Sequence, residues 1–166
     1  MVQRASGTSF ADLLEQRIWG KLGAEQDAYI VVDQVGTQFA GGGMSASLRD
    51  MARFGEAMRN NGRFNGQQIV PEAVVADIRA GGDAAKFADA GYATLPGWSY
   101  RNMWWVAGEE QGMFAARGIH GQTIYVDPKA EMVIARFASN PVAANGANDP
   151  VSLPAYAALA KYLNAR

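Results

Sequence analysis

The stretch Phe39-Ala40-Gly41-Gly42-Gly43-Met44-Ser45-Ala46-Ser47-Leu48-Arg49-Asp50-Met51-Ala52-Arg53-Phe54-Gly55-Glu56-Ala57-Met58-Arg59-Asn60-Asn61-Gly62-Arg63 joins a run of glycines to a patterned helix. Each of three consecutive glycines raises the entropy lost on folding, so helix or strand propensity does not account for them. They mark a loop that needs positive φ or that brings backbone close to a ligand. The helix then starts cleanly: Ser47 stands three residues before Asp50, the spacing of a capping box. Leu48, Met51, Phe54, Gly55 and Met58 recur at helical spacing and give one apolar face, and Asn60-Asn61-Gly62 ends it. A capped surface helix behind a flexible loop is the plainer reading of the same pattern.

Upstream of this stretch, Met1 to Ser6 reads as the last turns of a helix closed by Gly7, an element with neither cap nor length of its own and so a truncated one. Ser9-Phe10-Ala11-Asp12 repeats the capping spacing, and Phe10, Leu13, Leu14 and Ile18 line one face of a helix that ends near Gly20 or Gly23. Tyr29-Ile30-Val31-Val32 is a short β-branched run. Downstream, Pro71 is placed at the first position of a third helix carrying Val74, Val75 and Ile78, closed by Gly81-Gly82. Residues 83 to 99 hold Gly91, Pro96 and Gly97 without periodicity and read as a long connection.

Four strand-like runs follow. Tyr100 to Ala107 is aromatic-rich, and Met113 to Arg117 pairs back across a turn at Gly108-Glu109-Glu110-Gln111-Gly112. Gln122 to Val126 and Glu131 to Phe137 form a hairpin around Asp127-Pro128-Lys129-Ala130. Asn145-Gly146 and Asp149-Pro150 punctuate a loop before a final helix, where Tyr156, Leu159, Ala160 and Leu163 fall at i, i+3, i+4 and i+7. The sum is an α+β chain, an antiparallel β-sheet flanked by helices, read as one domain over residues 1–166.

Composition narrows the function classes. A chain of 166 residues, 49% hydrophobic and 10% aromatic, can bury one core, removing about 70% of its unfolded surface from water. The formal net charge of −1, with charges interspersed, supplies no basic stripe for nucleic acid and no polybasic segment for a membrane surface. Neither partner is expected. No apolar run reaches the roughly 18 residues of a membrane span, and the N-terminal residues lack a signal peptide's hydrophobic region, which favours a cytoplasmic location. Zero cysteines exclude thiolate chemistry, and a single histidine argues against a histidine metal site.

Taken whole, the run from Phe39 to Arg63 resembles the glycine loop and following helix of the serine β-lactamase and penicillin-binding-protein superfamily, and within it the 6-aminohexanoate-dimer hydrolases, which split nylon oligomers. The likeness extends from Gly7-Thr8-Ser9-Phe10 through Gly121-Gln122-Thr123-Ile124-Tyr125-Val126-Asp127-Pro128 to the last helix. It implies the C-terminal part of the β-lactamase/transpeptidase-like fold. In that superfamily a strand at the active site carries a Lys-Thr-Gly or His-Thr-Gly triplet; Ala116-Arg117-Gly118 falls there, and only the glycine matches. The resemblance implies that the residue after it, Ile119, donates its backbone N–H to an oxyanion hole, a role that asks nothing of the side chain. Gly118 would keep the strand edge open to substrate; an ordinary strand-end glycine is the other reading. Trp104 and Trp105 are neighbours on a strand and point to opposite faces, and the resemblance puts Trp105 on the substrate side. Ala40 falls where family members vary a residue contacting the substrate amide, and alanine offers that amide no hydrogen bond. No cofactor is implied, and the partner implied is a small-molecule amide or ester.

The family's nucleophile is the serine of a Ser-x-x-Lys motif, activated by that lysine and a tyrosine. None of the seven serines here has lysine three residues on, so the chain is expected to be inactive alone. His120 with Ser45 or Ser99 and Asp127 spells a Ser-His-Asp set, but no serine lies in a Gly-x-Ser-x-Gly elbow. Tyr100-Arg101-Asn102 spells the family's Tyr-x-Asn downstream of that motif's place, and Glu109-Glu110 reads as solvated charge in a turn. The competing expectation is a standalone, non-catalytic module binding a ligand or partner. A fragment of a larger sheet would expose apolar surface and strand edges and would associate, for instance as a homodimer.

Overall fold

Local signals set the boundaries of the first half in a computed structural model that describes residues 2–108 and 112–166. Gly7, at φ +70°, closes α1 (Val2–Ser6), and its N–H reaches the Gln3 carbonyl at 2.9 Å. The Ser9 hydroxyl caps α2 (Phe10–Leu14) by accepting the Asp12 N–H. Helical winding continues through a π segment (Glu15–Trp19) into α3 (Gly20–Leu22) and stops where Gly23 turns left-handed. The strand run around Tyr29 is shorter than its composition implies: β1 (Tyr29–Ile30) pairs with β2 (Met44–Ser45), leaving Val31 and Val32 exposed. Of the three consecutive glycines only Gly43 has positive φ, and a Cβ there would meet Val31 at 3.0 Å; at Gly41 it would meet the Phe39 ring. Close backbone approach is real, but to the loop's own side chains.

The helix α4 (Leu48–Arg59) is capped by Ser47, which accepts the Asp50 N–H at 3.1 Å while its hydroxyl donates to the Asp50 carboxylate at 2.7 Å. Gly55 is present because this helix lies tight on the sheet: a Cβ there would come within 2.5 Å of Val133 Cγ1 and 2.8 Å of Ile124 Cγ2. Next comes a small hairpin beyond the expected elements, β3 (Arg63–Phe64) and β4 (Gln67–Gln68), joined by Asn65-Gly66 with both φ values positive. That dipeptide is the favoured two-residue hairpin turn. Pro71 precedes α5 (Glu72–Ala80) as its cap rather than opening it, and Gly81 closes it. Residues 83–99 are not all connection. Asp83 accepts the N–H groups of Ala85 and Lys86 and caps α6 (Ala84–Asp89), a helix too short to show periodicity.

The expected strand Tyr100–Ala107 is a hairpin. Its first limb is β5 (Ser99–Arg101) and its second β6 (Trp104–Val106), with Asn102 and Met103 both at positive φ between them. Methionine at such a position gives no turn signal, which is why the run reads as continuous. The meander goes on through β7 (Phe114–Arg117), β8 (Thr123–Asp127) and β9 (Met132–Arg136), so five antiparallel strands follow one another in chain order. Glu109, Glu110 and Gln111, read as a turn, lie outside the described residues. The last helix, α7 (Asp149–Asn164), begins at Asp149, and the 3₁₀ turn Asn145–Ala147 leads into it. Tyr156 and Ala160 pack inward, but Leu159 and Leu163 of the expected stripe stand exposed.

The pleat divides the sheet into two packed faces. Trp104, Val106, Phe114, Ile124 and Val126 point toward α4 and α5, where Met58, Val75 and Ile78 complete one cluster. Trp105, Ala115, Tyr125 and Ile134 form a cross-strand row on the other face, under α6 and α7 with Phe87, Leu95 and Tyr156. Leu22, Ala57 and Ile69 form a third cluster that ties the first helices to α4.

Candidate functional site

An open cleft of about 560 Å³ lies at one end of the second face, walled by Tyr92, Trp105, Arg117, Gly118, Ile119 and Asn145. Strand alternation explains its composition. Trp105 and Arg117 share the face of Ala115, and the chain leaves β7 at Gly118, so the strand end forms one lip. Trp104, one residue away, is buried against Phe54 and Phe114. The Trp105 ring takes the Tyr100 ring edge-to-face at 4.9 Å between centroids, and the Arg117 guanidinium lies 5.9 Å from its centroid. Trp105 Nε1 is buried without a partner among the described residues.

The floor is ionic. Arg117 and Asp149 are a buried pair, their side chains 7% and 6% exposed, and the guanidinium donates to the carboxylate. Thr94 Oγ1 donates to the other Asp149 oxygen at 2.6 Å, so one carboxylate ties the end of β7, the start of α7 and the 90–98 loop together. A void of about 20 Å³ lies beneath, room for one water molecule, beside Asn148 Nδ2 and the Tyr156 hydroxyl, both buried without a partner among the described residues. Burial of the Tyr125 ring in this layer pushes its hydroxyl well above the usual tyrosine range.

At the lip, Ile119 directs its side chain to solvent, 66% exposed, and its backbone N–H meets no acceptor among the described residues. Gly118 has φ −102°, and a Cβ on it would meet Gln122 Cβ at 3.0 Å, so a side chain there would press on the turn behind the strand end. Ala40 is not in this cleft; it lines a separate surface depression with Val2, Phe10 and Gln38. Its neighbour glycines shape a loop around Phe39 and not the wall near Trp105.

His120 sits at φ +57°, its ring Nδ1 2.8 Å from the Asn140 carbonyl oxygen, while the Asp127 carboxylate accepts the Lys129 and Ala130 N–H groups at the far end of β8. Ser99 is buried and accepts the Gly82 N–H. These side chains do not assemble as a triad. Asn102 of the Tyr-x-Asn sequence shapes a turn and donates to Asp77 on α5. Among the described residues no three His, Cys, Asp or Glu side chains gather as metal ligands. Thr94, Asn145 and Asp149 join the cleft without a motif in the sequence that marks them. One signal was available: Arg117 is a charge closing an apolar strand, and a charge there demands a partner.

Comparison with known proteins agrees with this architecture. The chain is 38% identical over 142 residues to the 6-aminohexanoate-dimer hydrolase of Paenarthrobacter ureafaciens, a match covering 85% of this chain and 36% of that protein. A Bacillus anthracis structure provisionally assigned as a 6-aminohexanoate-dimer hydrolase superposes with a TM-score of 0.83 at 37% identity, covering 98% of this chain and 40% of that one. A Bacteroides dorei structure provisionally assigned as a β-lactamase shares the fold at 16% identity and a TM-score of 0.57, over 90% of this chain and 53% of its own. The chain thus spans well under half the length of the first two of these relatives. The β-lactamase family profile matches residues 1–154, and by that match, with the α+β fold and the relatives that accompany it, this chain belongs to the β-lactamase family.

Proposed function

We propose that this chain is the C-terminal part of a serine-type hydrolase of linear amides or esters. In this reading it contributes an oxyanion donor and one wall of the substrate pocket, and the nucleophile comes from outside the 166 residues. One observation carries the proposal: the Ile119 N–H, without an acceptor among the described residues, stands at the lip of a cleft whose wall is Trp105. A backbone donor at that place can bind the oxyanion that forms when a nucleophile adds to a carbonyl. The Trp105 ring offers an apolar surface for an alkyl chain. The relatives named for hydrolysis of 6-aminohexanoate dimer support an amide substrate of that kind. Ala40 would influence substrate only if the 36–43 loop reaches the cleft in the whole enzyme. The absence of any Ser-x-x-Lys supports the external nucleophile.

The test is to offer the purified chain 6-aminohexanoate dimer and a p-nitrophenyl ester, with a serine-reactive fluorophosphonate on the same sample. No turnover and no labelling is the expected result, together with dimer binding that is lost in Trp105→Ala. Turnover with a labelled serine would overturn the external nucleophile, and absence of dimer binding would overturn the pocket. A second reading, a non-catalytic binding module, draws on the exposed apolar side chains of Tyr29, Val31, Val35 and Phe39. A cooperative monomer by size exclusion that binds no dimer would favour it.

A further inference from the structure

The oxyanion donor proposed above is one end of a peptide plane, and the other end of that plane is held. The Gly118 carbonyl and the Ile119 N–H belong to the same trans peptide, so whatever fixes the carbonyl also fixes the direction of the N–H. Asn145 Nδ2 donates to the Gly118 oxygen at 2.9 Å. A carbonyl can only accept, so the amide must present its nitrogen here. The restraint matters because the peptide is flanked by a glycine, whose backbone rotates more freely than that of any other residue.

The segment supplying Asn145 grips the same turn twice more. The His120 N–H donates to the Ala143 carbonyl at 3.0 Å, and the Asn140 N–H donates to the His120 carbonyl at 3.1 Å. Those two bonds hold His120 in a left-handed conformation that a non-glycine residue seldom adopts. Asn145 is itself anchored. Its carbonyl accepts the Asn148 N–H at 2.8 Å, and the next residue, Asp149, is the buried partner of Arg117 and Thr94.

We propose that Asn145 is a positioning residue: through the Gly118 carbonyl it aims and polarises the Ile119 N–H. The inference rests on the hydrolase reading of the cleft. A hydrogen bond at a peptide's carbonyl withdraws electron density and strengthens its N–H as a donor, so the contact sets both direction and strength. Asn145 touches no reacting atom in this role.

The experiment is nuclear magnetic resonance on the 15N-labelled chain, with 6-aminohexanoate as a carboxylate probe of the oxyanion site. In the wild type the Ile119 amide is expected to shift saturably with the probe. Asn145→Ala should displace the Ile119 resonance before any probe is added and weaken binding about tenfold, the effect of one hydrogen bond. Asn145→Asp keeps the volume but is acceptor-only when ionised, so its loss should equal or exceed that of alanine. An asparagine that only fills space would tolerate the isostere, and wild-type behaviour in Asn145→Asp overturns the proposal. If the wild-type Ile119 amide ignores the probe, the hydrolase reading fails and takes this one with it; a wild-type response unchanged in Asn145→Ala defeats the positioning role alone. Should the variants not fold, scalar coupling across the Asn145 Nδ2–H to Gly118 carbonyl bond in the wild type decides the matter, and its absence overturns the proposal.

Discussion

The two faces of the sheet are built from alternate residues of the same strands, yet one is closed and the other holds charge. Toward α4 and α5 the clustered side chains are apolar, and Trp104 lies among Phe54 and Phe114. Toward α6 and α7 the row Trp105, Ala115 and Tyr125 runs out at Arg117, where a buried ion pair and a cleft replace packing. The difference shows how a small sheet keeps its apolar packing apart from its buried charge and open space. One face supplies hydrophobic burial through an apolar cluster, and the other can then hold polar atoms and open space. A second buried carboxylate, Asp50 at the start of α4, lies outside that apolar cluster and is held differently from Asp149: Asp50 by the Glu25 and Gln26 N–H groups, the Ser47 hydroxyl and Arg53, Asp149 by Arg117 and a threonine.

The adjacent tryptophans offer the strongest way to break this division. Trp104→Ala should cost about 4 kcal/mol of unfolding free energy, because its cavity opens inside a closed cluster. Trp105→Ala should cost clearly less, since one side of its ring already meets the cleft, while abolishing dimer binding. Equal losses in urea unfolding would show that the faces do not differ as described. Next in size is Asp149→Ala, which strands the Arg117 charge in the interior and should cost about 3 kcal/mol. Asp149→Ala combined with Arg117→Met should recover much of that loss, and failure to recover would mean that Asp149 acts chiefly through Thr94.

The smallest effect is a pH dependence at Asp50. Burial alone would push its carboxyl up, but the Glu25 N–H, the Ser47 hydroxyl, Arg53 and the Gln26 N–H outweigh it and hold the group below the usual carboxylate range. A folded value below the unfolded one of about 3.9 gives stability that is present above about pH 4 and lost as pH falls through the folded value. Urea midpoints from about pH 6 down to pH 3 should therefore fall more steeply for the wild type than for Asp50→Asn. Identical slopes would remove Asp50 from the acid response.

Much of the fold was legible because its signals are local. Ser9 and Ser47 announce helix starts, Gly7, Gly23 and Gly81 announce helix ends, and the apolar run through Ile124, Tyr125 and Val126 announces a strand. The misreadings have local causes as well. The Asn102-Met103 turn carries a methionine at positive φ, and α6 is shorter than two turns. The site was less legible. Trp105, Gly118 and Ile119 were singled out by likeness to known hydrolases and meet at one cleft, whereas Ala40, singled out on the same ground, lies elsewhere.

By itself the sequence determined most of the helical segments, where most of them stop, and that an antiparallel sheet is flanked by helices, because capping, φ preference and periodicity act over a few residues. Only the tertiary structure decided that Arg117 meets Asp149, 32 positions away, that Thr94 joins them, and that Asn145 reaches Gly118. Those contacts depend on how the strand ends and the start of α7 are brought together by packing, and no short-range pattern in the chain encodes that distance.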